Sequence, residues 1–112
     1  MGPSDTRAEI EKKLRRDPDL FLVAEAEGYL IGTVIGGYDG RRGFVYHLAV
    51  DATLRGRGVG SRLMAELEAR LRAKGCMRCY LLVTPENVAA REYYEKRGWK
   101  LIENLPYAKD LV

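Results

Sequence analysis

The sequence predicts one α/β domain of the α+β kind, in which helices flank a mixed, mostly antiparallel sheet. Three strand-like runs follow one another with only short turns between them, which is typical of an antiparallel meander. A helix with apolar side chains at four-residue spacing comes next, and a fourth strand-like run follows it. Because a helix joins the third and fourth runs, we expect these two strands to lie parallel. The 112 residues suit one domain that spans positions 1–112.

The element boundaries follow from local signals. Thr6 and Glu9 form a capping box at the start of a first helix, and Pro18 ends it. Asn87 is a helix N-cap, and Gly98 closes the helix that Asn87 begins. The predicted order is α-β-β-β-α-β-α-β: helices over 4–16, 59–74 and 88–97, strands over 20–26, 29–38, 44–50, 78–83 and 99–103, and a possible further strand over 107–112.

The composition restricts the class of protein. With 46% hydrophobic and 31% charged residues and no apolar run of about 20, the chain is predicted to be globular and outside the membrane. A net charge of +3 is mild, which disfavours nucleic acid as a partner. Cys76 and Cys79 form a C-x-x-C, but one histidine, His47, cannot complete a zinc site, so we expect reduced thiols and no metal. Two thiols without a secretion signal favour the cytoplasm.

The most informative segment is the glycine-rich turn over residues 55–60, Arg-Gly-Arg-Gly-Val-Gly, which opens the second helix. A helix N-terminus has unpaired amides and partial positive charge, and glycine lets phosphate oxygens reach them. Arg55, Arg57 and Arg62 add positive charge. The chain has no Gly-Lys-Ser or Gly-Lys-Thr of a P-loop, and its glycine spacing is one residue short of the dinucleotide pattern. The turn therefore predicts a diphosphate site of another kind.

These segments together resemble the core of the GNAT N-acetyltransferases, and most of all their RimI-like bacterial branch. The resemblance covers roughly residues 18–104. It is carried by Leu48–Asp51, by Leu54–Met64, and by Asn87, Tyr94 and the pair Gly98-Trp99 further along. The family's acyl-CoA turn has the pattern R/Q-x-x-G-x-G/A, which is matched here by Arg55, Gly58 and Gly60.

The resemblance implies an activity and a site. It implies transfer of an acetyl group from acetyl-CoA to a primary amine, on a small molecule or a protein N-terminus, by direct attack in a ternary complex. It implies that main-chain groups of Leu48 and Val50 bind the pantetheine arm, and that Tyr94 protonates the departing thiolate. The cofactor-binding residues that it implies are Leu48, Ala49, Val50, Arg55, Gly56, Arg57, Gly58, Val59, Gly60, Ser61 and Asn87.

Two departures from the family pattern leave alternatives open. Leu82 stands where RimI-like enzymes carry a glutamate that acts as the general base. The candidates for this role in the present sequence are Glu86, Glu25, Tyr46 and His47. The family's usual first strand and helix have no counterpart before the first predicted helix. An uncovered sheet edge would follow, which predicts a homodimer. The alternatives to catalysis are a degenerate GNAT domain that binds acyl-CoA without turnover and, less favoured by the motif spacing, a nucleotide-phosphate enzyme.

Overall fold

The computed structural model describes residues 7–112, and the predicted capping residue Thr6 lies outside them. Helix α1 covers Arg7–Arg16 and leads into a short 3₁₀ turn over Pro18–Leu20. Asp17, between the two, is buried, and its carboxylate accepts a hydrogen bond from Lys13 Nζ at 2.7 Å. This ion pair compensates the burial of the Asp17 charge and fixes the end of α1. No helix within the described residues is both long and apolar enough to span a membrane.

Four strands form one sheet, in the order β1-β2-β3-β4. The first two pairings are those of a meander, since β1 and β3 both run antiparallel to β2. The fourth strand runs parallel to β3, as the helix crossover predicts. The fold class is therefore confirmed as a mixed, mostly antiparallel sheet with helices. The strands are β1 Phe21–Ala26, β2 Tyr29–Tyr38, β3 Gly43–Val50 and β4 Cys79–Leu81.

Tight turns set the register of the meander. Glu27 and Gly28 both have positive φ, 53° and 82°, as a two-residue hairpin loop of type I′ requires. The next loop is fixed by Asp39, whose Oδ1 accepts the main-chain N–H groups of Arg41 and Arg42 at 2.8 and 2.7 Å. Both turns lie where the sequence predicts them.

Helix α2, Val59–Ala73, packs closely on glycines of the sheet. A methyl group at Gly36 would lie 2.5 Å from Leu67 Cδ1, and one at Gly32 would lie 3.0 Å from Leu63 Cδ1. The absence of side chains at these positions lets the apolar face of α2 reach the strands. The residues of α2 buried in the core are Leu63, Met64, Leu67 and Leu71.

The chain divides by its internal contacts into two compact units, Met1–Leu82 and Val83–Val112. The second unit contains helix α3, Val88–Glu95, after which Gly98 adopts a φ of 92°. The predicted strand over 99–103 is wrong, and the possible one over 107–112 does not form either. Leu101 and Leu105 are 77% and 76% exposed. The apolar residues of this segment have no neighbouring strand to pair with, and a strand is stable only within a sheet.

Candidate functional site

Strand β3 continues for five residues after its pairing with β4 ends. The parallel pairs run from Gly43 with Cys79 to Val45 with Leu81 and stop there. A β-bulge marks the same point, because His47 pairs with Ile35 and Val45 with Gly36, which leaves Tyr46 without a partner in β2. Beyond the bulge, β3 is paired on its β2 side, whereas β4 no longer accompanies it on the other.

The main-chain groups on that unpaired side belong to Leu48 and Val50. Asp51 donates its N–H across the sheet to the Ile31 carbonyl at 2.8 Å. In an antiparallel pair the residues alternate between hydrogen-bonded and non-hydrogen-bonded positions. Ala49 therefore also faces β2, and the N–H and C=O groups of Leu48 and Val50 face away from it. The main-chain groups of these two residues, which the family resemblance assigns to the pantetheine arm, are thus unpaired within the sheet.

Asp51 turns the chain from this edge towards helix α2. Its Oδ1 accepts hydrogen bonds from the Thr53 amide at 2.9 Å and the Thr53 hydroxyl at 2.7 Å, and these bonds lower the pKa of the carboxyl group. The side chain thereby caps the 3₁₀ turn over Ala52–Leu54, and Arg55 continues in extended conformation. This capping role of Asp51 was not predicted from the sequence.

The turn that follows contains two glycines in left-handed conformation. Gly56 and Gly58 have φ of 84° and 82°, and no atom lies within 4 Å of a side chain added at either. Gly58 is the N-cap of α2, and it supplies no capping side chain. Its carbonyl accepts the first helical bond, from the Arg62 N–H at 3.0 Å. Val59 and Gly60 come before Arg62 in the first turn, so their amides have no acceptor within the helix.

These features make the head of α2 suitable for a diphosphate. The open space at both glycines lets an oxygen approach the main chain, and the helix end carries partial positive charge. Arg55, Arg57 and Arg62 are exposed around it. The predicted phosphate-contacting residues are therefore brought together at one helix end, directly after the unpaired edge of β3.

In the second unit, Asn87 is a true N-cap. Its Oδ1 accepts the Ala90 N–H at 3.1 Å, and its carbonyl accepts the Arg91 N–H. The capping bond uses only the side-chain oxygen, so the two N–H groups of the Asn87 amide can still donate to a ligand. A capping role and a cofactor-binding role are compatible in this geometry.

Tyr94 lies in helix α3 and is half-buried between aromatic rings. Its ring centroid is 5.2 Å from that of Tyr93 and 6.0 Å from that of Trp99, in edge-on arrangements. Burial, with a smaller contribution from Tyr93, raises the pKa of the Tyr94 phenol, so it carries its proton at neutral pH. Tyr93 is half-buried as well, and the Arg97 guanidinium lies 3.7 Å from its ring centroid.

None of the four candidates for the general base is singled out by the structure. Burial raises the pKa of Tyr46, so the phenolate that would act as the base is scarce at neutral pH, and Lys13 Nζ lies 5.4 Å from the ring centroid. His47 is half-buried on β3, whereas Glu25 is exposed on β1 and is separated from β3 by the intervening strand. Glu86 is exposed in the second unit.

Cys79 of the C-x-x-C pair has the properties of an unreactive thiol. Cys76 and Cys79 are free, and burial raises the pKa of Cys79 to about 11. A thiol used for nucleophilic attack has a lowered pKa instead. Within the described residues, no three His, Cys, Asp or Glu side chains come together as metal ligands would.

The sequence matches known proteins along most of its length. The family model described as acetyltransferase (GNAT) family matches residues 2–99. An acetyltransferase of Pectobacterium atrosepticum is 43% identical over 109 residues, which are 97% of this chain and 77% of that protein. An acetyltransferase of Sodalis glossinidius is 43% identical over 102 residues, 91% of this chain and 72% of that protein. The chain therefore belongs to the acetyltransferase (GNAT) family.

Solved structures agree. Ard1 from Thermoplasma volcanium has a TM-score of 0.80 and 30% identity, and the match covers 87% of this chain and 66% of that one. The PaiA N-acetyltransferase from Thermoplasma acidophilum, solved with coenzyme A, has a TM-score of 0.79 at 23% identity, over 90% of this chain and 66% of that one. Membership of this family makes the protein an acetyl-CoA-dependent N-acetyltransferase.

Proposed function

We propose that residues 1–112 act as one domain that acetylates a primary amine, on a small molecule or a protein N-terminus, by direct transfer from bound acetyl-CoA. The observation that carries this proposal is the continuity of two binding elements in the first unit. The unpaired edge at Leu48 and Val50 is followed, within ten residues of chain, by the open helix end at Gly58. A ligand with a polar amide arm and a diphosphate needs both elements side by side.

The proposed cofactor pose uses main-chain groups almost throughout. The diphosphate accepts hydrogen bonds from the amides between Gly56 and Ser61, and Arg55 and Arg57 offset its charge. The pantetheine amides form hydrogen bonds with the main chain of Leu48 and Val50, on either side of Ala49, as a neighbouring strand would. The Asn87 amide donates to the pantetheine end of the cofactor. Support for this pose comes from the left-handed glycines and from the direction of the β3 main chain.

The proposed chemistry needs no nucleophilic side chain. The neutral amine attacks the thioester carbon, a C–N bond forms, and the C–S bond breaks as the tetrahedral intermediate collapses. The amine's proton leaves to water, and the Tyr94 hydroxyl gives its proton to the departing thiolate. The raised pKa of Tyr94 keeps that proton in place until the thiolate develops. No hydrogen bond among residues 7–112 occupies the Tyr94 hydroxyl in the structure.

The proposal is tested by the release of free CoA from acetyl-CoA over a panel of amines, with Tyr94→Phe and Tyr93→Phe compared. Both variants keep the aromatic ring and lose one hydroxyl, so Tyr93→Phe is the control for the loss of a hydroxyl group from this helix. We expect Tyr94→Phe to lower kcat by about 100-fold, the usual size of a general-acid contribution, and Tyr93→Phe to change it less than twofold. Equal rates for wild type and Tyr94→Phe would remove Tyr94 from the mechanism.

The acceptor class is proposed from relatives of similar fold. One matched structure is an aminoglycoside N-acetyltransferase with a bisubstrate analogue, and another is a ribosomal-protein-alanine N-acetyltransferase. These proteins act on a small amine and on a protein respectively, according to their names. Both classes therefore belong in the panel of amines.

We also infer a cytoplasmic homodimer. Within the described chain, β1 pairs only with β2, so its outer edge offers main-chain groups to a second copy, and Val23 on this strand is 50% exposed. The two free thiols suit a reducing compartment. Light scattering after size exclusion should give twice the mass of 12.7 kDa, and a monomer at 100 µM would contradict the dimer. Fractionation of cells tests the location.

A further inference from the structure

We propose that Arg42, Arg78 and the ring of Tyr80, here called the arginine cluster, form a binding site for an acidic protein segment. The cluster lies at the opposite end of β3 from the acyl-CoA turn. Arg42 immediately precedes Gly43, the first residue of β3, whereas the turn follows Val50 at the other end. Eight strand residues span about 26 Å, so the cluster lies outside the cofactor site.

The main chain holds the two arginines side by side. The Gly43 N–H donates to the Arg78 carbonyl at 3.0 Å, which joins the start of β3 to the residue before β4. On its other side, Arg42 is fixed by Asp39, which accepts the Arg42 N–H at 2.7 Å and donates its own N–H to the Arg42 carbonyl at 3.1 Å. The juxtaposition is therefore built into the sheet.

Both guanidinium groups lie against one aromatic ring. Their central carbons are 5.4 Å (Arg42) and 5.3 Å (Arg78) from the centroid of Tyr80. The ring is itself supported by Phe44, at 5.8 Å between centroids. Cation–π contact of this kind orients an arginine side chain and reduces the entropy that it loses on binding a ligand.

The charge of the cluster is only partly compensated. Among residues 7–112 neither Arg42 nor Arg78 forms an ion pair, in contrast to Arg7, Arg70 and Arg72, each of which lies beside a glutamate. Asp39 is the nearby carboxylate, and its Oδ1 is already used by the amides of the loop. Arg41, on the same loop, adds a third guanidinium group against this one carboxylate. An anionic partner is therefore favoured.

The chemistry favours carboxylates over nucleic-acid bases. The two guanidinium groups lie over the Tyr80 ring, so they compete with a base that would stack on it. The N–H groups at the guanidinium edges remain for bidentate bonds to carboxylates. In an extended segment, acidic side chains two residues apart are about 7 Å from each other and share one face, which suits two separate guanidinium groups.

The test is fluorescence anisotropy of a fluorescein-labelled hexaglutamate peptide titrated with the full chain in about 50 mM salt. We compare wild type, the double variant Arg42→Gln/Arg78→Gln, and a control, Lys96→Gln/Lys100→Gln, which removes the same charge from exposed positions of the second unit. The expected result is at least about tenfold weaker binding for the arginine variant and less than twofold for the control, since two charge-assisted contacts are lost.

Further arms of the same experiment make the assignment specific. Hexaglutamine should not bind, and 0.5 M salt should abolish hexaglutamate binding. Equal affinity of the arginine variant and the control, or no binding by wild type, would overturn the proposal. Tighter binding of decathymidylate than of hexaglutamate would overturn it in favour of nucleic acid. The arginine variant should bind CoA with the same affinity as the wild type. A failure of the arginine-cluster proposal can therefore be distinguished from a failure of the proposed acetyltransferase activity.

Discussion

Replacing Gly36 by alanine should destabilise the protein because helix α2 packs directly on this position. The added methyl group would lie 2.5, 3.1 and 3.3 Å from three atoms of Leu67, closer than carbon atoms normally approach. Leu67 is fully buried, so it cannot move aside without displacing the helix or its neighbours. The head of the same helix carries the acyl-CoA turn, which links this packing contact to ligand binding.

The expected size of the effect is a difference of two terms. Overpacking of a buried site by one methyl group costs about 1–3 kcal/mol. Alanine in place of glycine lowers the conformational entropy of the unfolded chain, which stabilises the protein by about 0.4–1 kcal/mol. The net loss in the free energy of unfolding should therefore be about 1–2 kcal/mol. With a urea dependence of about 1–3 kcal/mol per molar, the unfolding midpoint should fall by roughly 1 M.

A double-mutant cycle separates this contact from general damage. Leu67→Ala alone should cost about 2–5 kcal/mol through the cavity that it leaves. In Gly36→Ala/Leu67→Ala, the new methyl group occupies part of that cavity, so the double variant should be more stable than the sum of the single effects by at least about 1 kcal/mol. Urea unfolding followed by circular dichroism measures all four corners. A neutral Gly36→Ala, or strictly additive effects, would refute the close packing of α2 on β2.

Three further outcomes are expected. Asn87→Ala should lose about 1 kcal/mol of stability with the α3 cap, whereas Asn87→Ser should retain the cap, and CoA titrations should show weaker binding for both if the amide contacts the cofactor. In Cys76→Ser, the remaining thiol of Cys79 should react with iodoacetamide slowly at pH 8, because burial, the main cause of its pKa of about 11 in the wild type, is unchanged; the rate should rise with pH by up to about tenfold per unit, and a fast reaction at pH 8 would contradict the burial. The rate ratio of wild type to Tyr94→Phe should stay constant between about pH 7 and 9, since the raised pKa keeps the phenol protonated there; a fall within this range would contradict that direction.

The sequence predicted the meander, its turns and the helix that carries the phosphate site because each rests on local patterns. Gly28 and Asp39 are turn residues with a defined mechanism, and both lie in the gaps between the predicted strands. The apolar spacing in 59–74 correctly predicted the buried face of α2. Fold class, family and cofactor could all be inferred at this level.

Features that depend on tertiary contacts were not predictable in the same way. Gly32 and Gly36 weaken the strand signal of β2, and only the packed helix explains why side chains are absent there. The bulge at Tyr46 depends on the register of two strands, which no local motif specifies. The strand predicted over 99–103 failed for the converse reason, because its pattern was strand-like but no partner strand accompanies it.

The central claim, that the head of α2 binds the diphosphate of CoA, is tested most directly by calorimetric titration of CoA into wild type, Gly58→Asn and Gly58→Asp. Both variants suit the left-handed φ of 82° better than other residues, and neither meets a neighbouring atom within 4 Å of the new Cβ. They differ in charge, and a like charge about 4 Å from a phosphate near the surface costs up to about 4 kcal/mol. The account predicts that wild type binds CoA and that Gly58→Asp binds at least about 30-fold more weakly than Gly58→Asn. Equal affinities for all three proteins, or no binding by wild type, would contradict it.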